Sequence, residues 1–176
     1  MPTYAQGDRI AQFTKAYKEK TGKDFFETYL QAIQSNKRLD GRIDKATYLT
    51  IYQDKYVVVF VPKAQRSQGE IQLMSKGECG NIVEADTGVR YSLDRAIMLT
   101  MKILENLGVE IFNAFEISKR LDSLDQDQRL IYCFFPRHPQ SPGGFSEFQH
   151  RWINNHYPED FAKNCRDELD KIIEQG

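Results

Sequence analysis

The sequence predicts a single α+β domain whose mainly antiparallel sheet packs on one central buried helix over 93–107, with further helices at both ends of the chain. Three observations carry this. The elements are segregated: helices, then strands, then one strongly apolar helix, then strands, then helices again, where an α/β fold would alternate them. Hydrophobic residues make up 40% of 176, enough for a core that needs neither metal nor disulfide staples. No composition shift, internal repeat or low-complexity tract marks a boundary, so residues 1–176 are read as one domain.

Each element has its own reason. Ile10, Phe13 and Tyr17 fall on one helix face, closed near Thr21-Gly22. Asp24 as N-cap, with Glu27 at the capping-box position, starts a second helix whose stripe is Phe26, Tyr29, Leu30 and Ile33. The period then changes. Residues 46–52 and 56–61, around a turn at 53–55, read as a hairpin with a second strand buried on both faces, ended by Pro62. Short strands follow at 71–75 and 81–84, punctuated by Gly77, Gly80 and Gly88. Ser92 caps the helix 93–107, and Gly108 closes it. Its polar residues Asp94, Arg95, Lys102, Glu105 and Asn106 share one narrow sector, so the remainder is apolar and the helix is read as the centre of the core. Residues 109–117 and 129–135 read as two more strands, 146–155 as a short helix, and 159–174 as an amphipathic one with Phe161, Cys165, Leu169, Ile172 and Ile173 on its apolar face.

Charge and cysteine usage narrow the function classes. The 24 Lys and Arg against 25 Asp and Glu leave a net charge of −1, without the basic excess that makes nucleic acid an expected partner. The three cysteines, Cys79, Cys133 and Cys165, form no CxxC pair and suit a reducing cytoplasm. Residues 1–12 lack the pattern of a signal peptide, and the apolar stretch 96–107 is shorter than the roughly 20 residues a membrane span needs. The expectation is a cytoplasmic protein with no membrane association.

Several patterns touch on chemistry. Asn36, Asp40, Gly41, Ile43 and Asp44 occupy calcium-loop positions, but Arg38 and Thr47 stand where two acidic ligands belong, so a plain turn is expected. The segment from Asp44 through the strand 56–61 to Lys63 resembles the PD-(D/E)xK nuclease core in outline. That resemblance implies metal-dependent phosphodiester cleavage by Asp44 and Lys63, with Glu70 and Asp54 as variant partners, since Val61 occupies the carboxylate position. Cys79, in a small-residue loop, is read as a turn cysteine and not a nucleophile. Cys133, Cys165, His138, His150 and His156 match no zinc spacing. No metal and no cofactor are expected.

The segment 137–157 is the most unusual. It gathers every histidine, the one tryptophan and two of the six prolines. Arg137, His138, Phe145, Phe148, Arg151, Trp152 and Tyr157 are its candidate partner-binding residues, because Trp, Tyr and Arg dominate interface hot spots. With no intact catalytic motif, the function expected from the sequence is a non-catalytic protein-interaction module: an adaptor, inhibitor or chaperone-like regulator. Its partner would be another protein, and a homodimer fits equally. The element order is similar to that of type III secretion chaperones. A degenerate nuclease-like enzyme is the first alternative, and binding of a small anionic ligand by Arg137, His138, His150 and Arg151 the second.

Overall fold

A computed structural model describes residues 4–42, 48–137 and 154–175. It is the expected α+β arrangement. Helices α1 (Tyr4–Thr21) and α2 (Phe25–Gln34) precede strands β1 (Thr50–Gln53), β2 (Val57–Phe60) and β3 (Ile71–Ser75). Then come α3 (Thr87–Asn106), β4 (Phe112–Ile117), β5 (Ile131–Pro136) and α4 (Pro158–Gln175). The five strands form one antiparallel sheet in the order β1-β2-β3-β5-β4, so β5 is inserted between β3 and β4.

The sheet is buried on both sides, as the all-apolar run of β2 requires. Val57, Val59, Ile71, Leu73 and Phe134 face α3 and α4. Val58, Phe60, Met74, Ile131 and Cys133 face the opposite way and pack with Phe26 and Ile33 of α2. Asp24 caps α2 as expected, its Oδ1 accepting from the Glu27 N–H at 2.8 Å.

Three expectations need correction. Helix α3 begins at Thr87, capped by Asp86, and Ser92 lies buried inside it. Gly88 disguised this first turn. It sits in the helix because a Cβ there would meet the Tyr56 ring at 3.0 Å. Residues 81–84 form a turn, because the Asn81 side chain accepts from the N–H groups of Val83 and Glu84 and so takes the donors a strand would use. The apolar faces are narrower than the pattern suggested: Phe13, Met98, Met101 and Ile173 are exposed. The short helix expected at 146–155 lies mostly outside the described residues, and its last two, Asn154 and Asn155, are not helical.

Candidate functional site

Antiparallel pairing brings three passages of chain to one end of the sheet. β2 runs out there into residues 61–63, β3 begins there after Gly69 and Glu70, and β5 ends there at Pro136. The α2–β1 connection and the first turn of α4 close over the same end. Asn36 and Lys63 both donate to Glu159 Oε1, and Lys63 also donates to the Lys37 carbonyl. Beside them Arg38, whose side chain is fully buried, forks onto Asp40 at 2.9 and 2.7 Å and onto Asp160 at 2.7 and 3.3 Å. Arg42 reaches the same two carboxylates from outside.

The electrostatics follow from these contacts. Hydrogen bonds from Arg38 hold the Asp40 and Asp160 carboxyls below the usual carboxylate range, and their charges push the Arg38 guanidinium up. Burial pushes Glu159 up, but the bonds from Lys63 and Asn36 outweigh it and hold that carboxyl low. Glu159 is 0% exposed, and its Oε2 has no hydrogen-bond partner among the described residues. Glu70, also buried, accepts from the Arg66 N–H and from Gln72 Nε2, and burial raises its carboxyl. On the same α2 side of the sheet, burial pushes the Tyr29 hydroxyl and the Cys133 thiol up to about 12.

A cavity of about 280 Å³ opens at this end, between the start of β3, the end of β5 and α4. Leu107, Val109, Pro136 and Phe161 give it apolar walls, and Gln68, His156, Asp160 and Asn164 add polar groups. The His156 ring stacks on Phe161 with centroids 6.0 Å apart. Gly69 shapes the floor. Its φ of +76° is left-handed, and a Cβ would stand 3.2 Å from Pro136 and 3.4 Å from Phe161.

The structure disposes of the sequence candidates one by one. Of the calcium-loop pattern, Asp40 is taken up by Arg38 and Arg42, and Ile43, Asp44 and Thr47 lie outside the described residues. Of the nuclease set, Asp44 lies outside the described residues. Asp54 holds the β1–β2 turn at the far end of β2, its Oδ1 accepting from the N–H groups of Tyr56 and Val57, and Val61 is core. Cys79 is buried, and burial raises its thiol. Cys133 and Cys165 face opposite sides of the sheet, and no group of three or more His, Cys, Asp or Glu stands ready to hold a metal among the described residues. Of the expected partner-binding residues, Arg137 is exposed at the end of β5, and Tyr157 lies under Arg38 at 5.4 Å. His138, Phe145, Phe148, Arg151 and Trp152 fall outside the described residues. Sequence reasoning missed Asn36, Arg38, Glu159 and Asp160, whose separations of over 120 residues leave no local pattern.

No protein-family model matches the chain, and no curated protein matches it in sequence. Solved structures do match in shape. A uridylyltransferase structure superposes with a TM-score of 0.76 at 14% identity over 94% of this chain. An ADP-glucose phosphorylase from Arabidopsis thaliana with bound ADP-glucose gives 0.67 at 22% identity over 87%. A zinc-bound histidine triad family protein from Mycobacterium smegmatis gives 0.54 at 10% identity over 73%. The chain spans 51% of the uridylyltransferase and 46% of the phosphorylase, about half of each. At these identities the likeness is one of fold.

It nevertheless corrects the function expected from the sequence. The chain shares its fold with a uridylyltransferase and an ADP-glucose phosphorylase, both enzymes, and the non-catalytic adaptor, inhibitor or chaperone-like regulator is set aside. The physical reason is that element order alone does not fix strand order. Placing β5 between β3 and β4 sets the fold, and it depends on pairing over some 60 residues of separation, as between Ile71 and Phe134.

Proposed function

We propose that this chain is a nucleotide-binding domain serving nucleotidyl transfer or hydrolysis, with its site at the sheet end that carries the cavity. The carrying observation is the fold shared over nearly the whole chain with a uridylyltransferase. The local chemistry supports it. The cavity has apolar walls with a few polar groups, the composition of a small-molecule site, and the exposed Arg66 and Arg137 stand close in sequence to its lining residues Gln68 and Pro136. His156, stacked on Phe161, is the described imidazole at that cavity and a polar contact for a bound nucleotide.

Titration calorimetry with UMP, AMP, UDP-glucose and ADP-glucose tests the proposal. At least one should bind with a Kd in the micromolar range, about −8 kcal/mol. His156→Ala should weaken binding of that nucleotide about 5- to 10-fold. Absence of binding by all four at millimolar concentration overturns the reading.

A further inference from the structure

The cavity itself indicates which part of a nucleotide it takes. Its volume of about 280 Å³ is at the small end for ligand sites, too small for a whole nucleotide sugar and adequate for one heterocycle. Its walls are of two kinds. Leu107, Val109, Pro136 and the Phe161 ring offer flat apolar contact. Gln68 and Asn164 offer carboxamides, each with a donor pair and an acceptor, and neither makes a hydrogen bond to another described residue. The one charged lining group, Asp160, is occupied by Arg38 and Arg42.

That combination discriminates among ligand parts. A phosphate needs several cations on the wall, and the described lining side chains include no Lys or Arg, while the His156 ring is stacked on Phe161. A sugar needs hydrogen bonds on most of its surface, which four apolar walls deny. A purely aliphatic group would leave two amides desolvated without partners. A nucleobase satisfies all of it: an apolar ring face against Phe161 and Pro136, and a polar edge for the two amides.

We infer that the cavity between β3, β5 and α4 is the nucleobase subsite, with Gln68 and Asn164 reading the edge of the base. This rests on the nucleotide reading above and assigns its specificity. The phosphates then lie outside the cavity, where Arg66 and Arg137, both exposed, stand two residues and one residue from the lining positions Gln68 and Pro136. Gly69 is required because any side chain there would enter the space between Pro136 and Phe161.

The test is calorimetry with neutral nucleosides, uridine and adenosine, beside their monophosphates, on four full-length proteins: wild type, Asn164→Ala, Gln68→Ala and Val109→Phe. Asn164 is exposed, so its truncation leaves folding intact. One nucleoside should bind wild type and be preferred over the other. Asn164→Ala and Gln68→Ala should each weaken it about 5- to 10-fold and erode that preference. Val109→Phe should fill the cavity and abolish binding, with the melting curve verifying that the variant is folded. If it does not fold, the two amide variants decide alone. Nucleotides that bind all folded variants with unchanged Kd place the base elsewhere and overturn the subsite while leaving the nucleotide reading standing. If neither nucleosides nor nucleotides bind wild type, both fall.

Discussion

The two ends of the sheet are both polar, but they spend their polar groups differently. At the β1–β2 turn and the α3 N-terminus, side chains serve mainly the backbone, the Lys119–Glu84 ion pair being an exception. Asp54 holds two turn N–H groups, Asn81 two more, Asp86 caps α3, and Ser75 bonds the Cys79 carbonyl. The cavity at that end, about 240 Å³, is lined by Glu78, Glu84 and Asp86. At the end formed by β2, β5 and α4, side chains bond mainly to side chains distant in sequence, and one buried carboxylate oxygen has no partner among the described residues. Groups that cap local backbone are explained by folding. A network that joins residues 36–42 to 159–160 around an apolar cavity, at the cost of an orphaned oxygen, is explained better by a site.

The largest expected effect tests that network. Lys63→Met removes the cation facing the buried Glu159, and stability should fall by about 3 kcal/mol, the low end for a broken buried pair because Lys63 itself is partly exposed. Lys63→Met combined with Glu159→Leu should recover most of the loss in chemical denaturation. A single variant within half a kcal/mol of wild type would show that solvent already satisfies Glu159, and the contrast between the ends would weaken.

At the opposite end, Asp54→Ala deprives the Tyr56 and Val57 N–H groups of their acceptor and should cost about 2 kcal/mol. Nucleotide affinity should not change, because this end is separated from the cavity by the length of β2. A parallel loss of binding would mean that the ends are coupled.

How much of this was legible follows the same division. Local signals were read correctly: the Asp24 cap, the all-apolar β2 and the strand 71–75 all stand. Where local chemistry competed with the pattern, reading failed. Asn81 turned an apparent strand into a loop, and Gly88 hid the start of α3. The site was illegible for a stronger reason. Arg38 looked like a broken calcium ligand, and Asp160 like an ordinary acid in a first helical turn, until the fold set them 2.7 Å apart. Gly69 and Gln68 sat unremarked in a polar loop, since nothing in sequence says that β5 will lie beside β3.

Acid should expose the clustering. Asp160, Asp40 and Glu159 have depressed folded values, so their stabilisation is complete above the ordinary carboxylate range and disappears as pH falls through those lower values. Glu70 has the opposite sign. Its raised folded value favours the fold below the ordinary range, and that contribution is lost as pH rises. Stability measured by urea should therefore decline below about pH 4, and Asp160→Asn should flatten the decline. An unchanged acid slope in that variant would remove Asp160 from the network's energetics.

The smallest expected effect concerns Tyr157, the residue of the expected partner surface that does reach this network. Its ring lies 5.4 Å from the Arg38 guanidinium carbon, while the residue remains 44% exposed. Arg38 already has four hydrogen bonds to Asp40 and Asp160, so the ring adds only a cation–π contact and cover from water. Tyr157→Leu should cost about 0.5–1 kcal/mol, the value of such a contact near the surface. Tyr157→Phe keeps the ring face and should change almost nothing. The pair separates two uses of the residue. If the hydroxyl serves a bound nucleotide, Tyr157→Phe will weaken binding without touching stability. If the ring only covers Arg38, Tyr157→Leu will lower stability and Tyr157→Phe will alter neither. A stability loss in Tyr157→Phe as large as in Tyr157→Leu would show that the hydroxyl, not the ring, holds this end together, and the account of Arg38 as satisfied by its two carboxylates would fail.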